Sequence, residues 1–294
     1  MNKTILITGT NGQLGSEIRK LSPFFPSFSF FFTDIEQLDL LKKQDIQKFV
    51  VHNGIDYVIN CAAYTAVDKA EDEVQICMAV NRDAVRNLAE ATKNKARILH
   101  VSTDYVFDGK GNTPLKETDT VNPQSVYGKS KLEGERVLME IAPESIIVRT
   151  SWLYSEFGNN FVKTMLRLGT EREQLSVVSD QVGTPTYAED LVRALLHIIE
   201  CIEKENTFPA GVYHYSNEGA CSWCDFCLKI FELAGITNCK VTPIPTSEYP
   251  TKAARPLYSV LDKTKIKETF GLEIPQWEES LRNMLSSLRR GATN

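Results

Sequence analysis

No uninterrupted apolar run in this sequence approaches the ~18 residues needed to cross a bilayer. Met1-Asn2-Lys3 leads straight into Thr4-Ile5-Leu6-Ile7-Thr8, which is too short for the core of a signal peptide. No membrane partner and a cytoplasmic location are therefore expected. Basic charge is also scarce. Lys and Arg number 33 against 38 Asp and Glu, giving a formal net charge of −5. Such a balance offers no general attraction to nucleic acid, although local cations can still hold a phosphorylated small molecule. Gly/Ser-rich linkers and internal repeats are missing as well. The seven cysteines are an odd number in a chain large enough to fold without disulfides. Cys221, Cys224 and Cys227 are spaced by three, but no second CxxC or histidine pair completes a ligand set, and His214 stands alone nearby. They read as small apolar positions on one helical face. Cys61 and Cys77 likewise read as packing residues.

Hydrophobic residues make up 42% of the chain, enough for a packed core. Residues 4–8 form a β-branched run of the kind buried on both faces of a sheet. A helix is predicted over 13–21, a strand over 28–33, a helix over 43–53 and a strand over 56–60. One long helix follows over 73–94, then a strand at 98–102, a helix at 125–141 and a strand at 146–149. Strands alternating with helices at this pace give an α/β fold, a Rossmann-type doubly wound parallel sheet. Ligands then bind at the strand C-termini, where Gly9, Asp34, Asn60, Ser102 and Thr150 fall. The rhythm loosens near residue 150 and prolines cluster at Pro243, Pro245, Pro250 and Pro256. Residues 1–150 are expected to form the nucleotide-binding domain, with segments from about 175–220 returning to it. Residues 151–294 are expected to supply a smaller, mainly substrate-binding lobe. The aromatic run from Phe24 to Phe32 reads as a loop and a buried strand.

Gly9, Gly12 and Gly15 lie between the first strand and the first helix. Glycines there let the backbone close on a pyrophosphate, which Gln13 and Leu14 at the helix N-terminus also approach. Asp34 ends the second strand, where a carboxylate accepts hydrogen bonds from ribose hydroxyls and repels a 2′-phosphate. NADH is therefore favoured over NADPH, with use of both open. The bland alternative for Asp34 is a turn cap. Asp39 and Leu40 are placed to cover the adenine, and Ala62, Ala63, Tyr64 and Thr65 the far side of the cofactor.

Ser102-Thr103-Asp104 precedes Tyr127-Gly128-Lys129-Ser130-Lys131. Tyr127 and Lys131, four apart, share one helical face. A cation beside a phenol favours the phenolate. Bringing a tyrosine from ~10 to about 7 takes roughly 4 kcal/mol of differential stabilisation, which one lysine and the positive charge of an oxidised nicotinamide can supply together.

Thr103 with Tyr127-x-x-x-Lys131 resembles the pattern of the short-chain dehydrogenase/reductase superfamily. That resemblance implies that Thr103 binds the reacting oxygen, Tyr127 delivers the proton and Lys131 holds the nicotinamide ribose. The blocks at 60–71, 150–154, 158–161, 163–166, 178–186 and 254–256 resemble, more closely, the dTDP-4-dehydrorhamnose reductase family, and the similarity runs nearly end to end. It implies reduction of a 4-keto dTDP-sugar with NAD(P)H, the last step of dTDP-L-rhamnose synthesis. Thr103, Asp104 and Trp152 would touch the sugar, and Asn160, Gln181 and Arg255 the nucleotide half. Arg255 fits a diphosphate or, equally, a surface ion pair. Some members dimerise through a metal bridge. Glu17 and Glu189 match two of its acids, but Ser287 stands at the third, which argues against magnesium here. Monomer and homodimer both stay open. Two alternatives remain: another sugar-nucleotide epimerase or dehydratase, and a non-catalytic regulatory subunit. Tyr105 follows Asp104 where dehydratases usually carry a second carboxylate.

Overall fold

A computed structural model describes residues 2–291. Six strands form the main sheet: β1 (Lys3–Thr8), β2 (Phe28–Thr33), β3 (Tyr57–Asn60), β4 (Arg97–Thr103), β5 (Ile146–Thr150) and, much later, β10 (Gly211–His214). Their spatial order is β10-β5-β4-β3-β1-β2 and every pairing is parallel. The order reverses between β1 and β3, so a crevice opens there at the strand C-termini.

Side-chain alternation along the strands sorts the core into two layers. Ile5, Ile7, Ile59, Leu99 and Val148 face α1 (Gln13–Leu21), α8 (Ala188–Glu205) and α10 (Thr264–Phe270). Leu6, Val58, Ile98 and Ile147 face α2 (Lys43–His52), α5 (Ala84–Thr92) and α6 (Val126–Ile141). Helices on both faces leave the central strands β1, β3, β4 and β5 almost no wet side, which is why they read as continuous apolar runs.

The helix predicted over 73–94 is not uniform. After the short α3 (Val67–Ala70) come α4 (Val74–Met78), a π-helical turn over Ala79–Asp83, and α5. The widened turn brings the Asn81 carbonyl against Gly134 of α6, where a Cβ would sit 2.1 Å from that oxygen. Periodicity over this stretch gives no warning of it, because the apolar face continues on both sides.

The second lobe packs around its own aromatic core. Its elements are β6 (Leu153–Tyr154), α7 (Phe161–Glu171), β7 (Gln174–Val178), β8 (Val182–Gly183), β9 (Thr186–Tyr187), β11 (Cys221–Ser222), α9 (Trp223–Ala234), β12 (Lys240–Ile244) and α11 (Trp277–Gly291). Within 175–220, α8 and β10 join the main sheet and its covering layer. β7, β8 and β9 instead pair with β12, β11 and β6. Cys221, Cys224, Cys227 and Cys239 are buried in this core with free thiols. Phe28 is buried, whereas Phe24 and Phe31 are exposed on and beside the edge strand β2.

Candidate active site

A cleft of about 890 Å³ follows the C-terminal edge of the main sheet and continues under the second lobe. At one end β1 turns into α1. Gly9 adopts φ +66°, and a Cβ there would lie 2.7 Å from the backbone of Ala62, across the crevice between β1 and β3. A Cβ on Gly15 would meet Thr10 at 2.5 Å, so that glycine lets the helix close on the turn. Gly12 caps α1 without a side-chain hydrogen bond, leaving the first helical N–H groups facing the cleft beside Gln13 and Leu14. This cradle fits a pyrophosphate. Asp34, Asp39 and Leu40 line the same end, and Ala62, Ala63 and Thr65 the opposite wall. The Asp34 carboxylate accepts from Asn11 N at 2.9 Å and Ile35 N at 2.8 Å, so it is held at the rim in one orientation. It therefore caps its turn and faces the cleft at once.

Ser102 and Thr103 end β4, while Tyr127 and Lys131 ride on the first turns of α6. Ser125 starts that helix by accepting from Gly128 N. Gly128 is required at its place, because a Cβ would lie 2.3 Å from the Tyr105 carbonyl. Thr103, Asp104, Tyr127 and Lys131 all line the cleft and all are buried. Thr103 Oγ1 donates to Asp104 Oδ1 at 3.0 Å and accepts from Tyr105 N at 3.2 Å. Burial lifts the Asp104 carboxyl to about 6, against hydrogen bonds from Ser259 and Thr103.

The protein's own groups do not by themselves acidify the phenol. Burial pushes Tyr127 well above its usual value, and Thr103 acts in the opposite direction. Lys131 Nζ is turned to the Val101 carbonyl at 2.7 Å and to His100 at 3.4 Å. Burial draws its ammonium down to about 8, with Glu135, Cys61 and Cys77 opposing the fall. The reason is dielectric: a low-polarity pocket penalises phenolate and ammonium alike.

One wall of the cleft is aromatic. Trp152 and Trp223 stack with centroids 3.5 Å apart and planes within 8°. Phe161 packs behind Trp223 at 4.6 Å. The Trp152 backbone sits at φ +46°, a costly conformation for a bulky residue. Gly183 makes room for its indole. Trp223 was not anticipated. The signal was Ser222 with Asp225, a capping box that starts α9 at this tryptophan.

Five anticipated residues lie off the cleft lining. Gly15 acts inside the turn. Tyr64 points its hydroxyl to Glu73 at 2.5 Å. Asn160 caps α7 and donates to Gln13 and the Ser155 carbonyl. Gln181 is buried and donates to Thr246. Arg255 forms a two-pronged pair with Asp68, the ion-pair alternative read from the sequence. Glu17 and Glu189 do come together, but around the Lys20 ammonium, 3.5 Å and 3.0 Å away. Ser287 accepts from Arg290 on α11, in the last helix of the chain. Among the described residues, no group of three or more His, Cys, Asp or Glu is arranged to hold a metal.

The RmlD substrate binding domain family model matches residues 2–290. A curated dTDP-4-dehydrorhamnose reductase of Aggregatibacter actinomycetemcomitans is 45% identical, over 95% of this chain and 97% of that protein. A solved dTDP-4-dehydrorhamnose reductase of Clostridium acetobutylicum superposes with TM-score 0.90 at 45% identity, covering 97% and 99% of the two chains. Another, from Bacillus anthracis in complex with NADP, gives TM-score 0.91 at 39% identity, covering 98% and 100%.

Proposed function

The chain belongs to the RmlD substrate binding domain family, which includes dTDP-4-dehydrorhamnose reductases, and on that premise we propose that it reduces dTDP-4-dehydro-L-rhamnose to dTDP-L-rhamnose. The observation that carries this is the convergence of a glycine cradle, the Thr103–Tyr127–Lys131 group and an aromatic wall on one cleft. When bound, a nicotinamide dinucleotide supplies the hydride. The chain's own groups do the rest. Tyr127 Oη gives its proton to the carbonyl oxygen at C4 of the sugar. Thr103 Oγ1 turns from Asp104 to donate to that oxygen. Lys131 holds the cofactor ribose, and Asp104 is placed against the sugar hydroxyls. The Trp152–Trp223 stack closes the wall and excludes water around the sugar.

Asp34 speaks for NADH over NADPH, because its fixed carboxylate would meet a 2′-phosphate with like charge. The NADP complex of the Bacillus anthracis relative supports use of both. Residues 1–150 with α8 and β10 form the nucleotide-binding part in this reading, and the remaining lobe holds the substrate. Magnesium has no assigned role.

The test follows cofactor oxidation at its near-ultraviolet absorbance with freshly made dTDP-4-dehydrorhamnose, once with NADH and once with NADPH. Tyr127→Phe should lose most of the rate and keep cofactor affinity. Asp34→Ala should weaken NADH and relatively favour NADPH. Absence of turnover with both cofactors would refute the assignment.

A further inference from the structure

We propose that His100 is a positioning residue for Lys131, held by Asn60 in the tautomer that carries its hydrogen on Nε2 and so presents a donor to the lysine amine. The chain of hydrogen bonds begins at a group with no choice. The Ala62 backbone N–H can only donate, and it does so to Asn60 Oδ1 at 3.2 Å. Thr8 Oγ1 donates to the same oxygen at 2.6 Å. These two contacts orient the amide, and its Nδ2 then faces His100 Nδ1 at 2.9 Å. An amide nitrogen donates, so Nδ1 accepts. The imidazole is wholly buried. Burial and the nearby Lys131 hold its pKa well below the usual value, so the ring is neutral. A neutral ring that accepts at Nδ1 carries its hydrogen at Nε2. That atom lies 3.4 Å from Lys131 Nζ.

A hydrogen aimed at the amine suits its lone pair and opposes the ammonium. The other groups facing Lys131 do not reverse this. The Val101 carbonyl accepts one hydrogen from it. The Cys61 and Cys77 thiols approach from β3 and α4, and burial keeps both protonated. Glu135, one turn along α6, is already engaged by Arg149 and Ser102. Tyr127, one turn the other way, is held neutral by burial. Asn60 and His100 therefore add to the burial that lowers the alkaline limit beyond which the lysine ceases to be a cation, and with it the upper pH limit of turnover. The kinetic part rests on the proposed role of Lys131. The tautomer does not.

Heteronuclear NMR of protein carrying heavy-nitrogen histidine reads the tautomer directly. The chain has four histidines, and His100→Gln identifies the resonances of His100 by their loss. The expected pattern is a neutral ring with its hydrogen on Nε2, unchanged between about pH 6 and pH 9. A hydrogen on Nδ1, or protonation of the ring in that range, would overturn the proposal. In kinetics, the amide introduced by His100→Gln can turn its oxygen to Lys131. The alkaline limb of kcat/KM should then move up by about one pH unit. A limb that moves by less than about 0.2 unit would also overturn it. Should His100→Gln not fold, Asn60→Asp provides the same test. Its carboxylate would take a hydrogen from Nδ1, leave Nε2 free to accept, and move the limb the same way. An expected spectrum in a protein without reductase turnover would sink the proposed function and leave the tautomer standing.

Discussion

Gly183→Ala puts the substrate wall to the test. Gly183 lies in β8, paired with Cys221. A Cβ there would sit 2.6 Å from Trp152 Cε2 and 2.8 Å from both Cζ2 and Nε1. Ordinary contact needs about 3.5 Å, so the indole must retreat by close to 1 Å. Trp223 stacks on that indole at 3.5 Å and Phe161 packs on Trp223, so the indole has little freedom to shift. Swinging from the backbone is no easier, since φ at Trp152 is already +46°. Overpacking of this kind costs about 1–3 kcal/mol. If the displaced wall is the one that meets the sugar, the same energy appears as a rise of about 5- to 150-fold in KM for the sugar nucleotide. Cofactor affinity should hold, because the nearest neighbours of the added methyl are all Trp152 atoms and none belongs to the Gly9–Gly12 cradle. The assay pairs steady-state kinetics with cofactor titration and thermal unfolding. Trp152→Phe in the Gly183→Ala background should recover part of the stability, since a smaller ring leaves room for the methyl. A variant with unchanged KM and unchanged melting would refute both the pinned indole and its place against the substrate.

Three further outcomes follow from burial and charge. Glu17 is fully buried, and burial lifts its carboxyl from 4.5 to about 7, partly offset by Ser155 and Lys20. A folded-state value above the unfolded one means that its contribution is present below about pH 4.5 and withdrawn as pH rises through about 7, roughly 3 kcal/mol in all. Glu17→Gln should therefore flatten the loss of urea stability between about pH 5 and pH 8, and parallel curves for the two proteins would contradict the assignment. Glu135→Gln leaves Arg149 buried without its partner, now 2.6 Å away, and should cost about 3–5 kcal/mol in denaturant unfolding. Gly134→Ala drives a methyl into the Asn81 carbonyl and should shift α6. Stability should fall by about 1–3 kcal/mol, and kcat with it, since Tyr127 and Lys131 ride on that helix; an unaltered kcat would separate the two.

The main sheet could be read from the sequence because its central strands are buried on both faces and β1, β2 and β4 each lead into a turn at a chemically distinctive residue. Gly9, Asp34 and Thr103 mark those turns, and all three line the cleft. The Tyr127/Lys131 spacing likewise specifies a helical face whatever surrounds it. What the sequence could not convey is which partner a polar side chain chooses. Arg255 takes Asp68, and Gln181 takes Thr246, from segments far away in the chain. Nor does spacing report desolvation. The neighbour of Tyr127 was legible, but the burial that raises its phenol was not. In the second lobe, β6, β8, β9 and β11 have two residues each, too few to show a period. The β7–β12 ladder joins segments that only the folded chain brings together.

β10 seals the flank of β5 only after the whole stretch from β6 to α8 has been made. Until then Ile146, Ile147 and Val148 present a greasy ribbon with unsatisfied amides along one margin. During synthesis the nascent N-terminal half is thus born adhesive, and a fragment cut after Thr150 should clump rather than stay dispersed. Release from that hazard arrives with four residues, Gly211 to His214, so the sheet is completed only after the first part of the neighbouring lobe, β6 to β9, has been made.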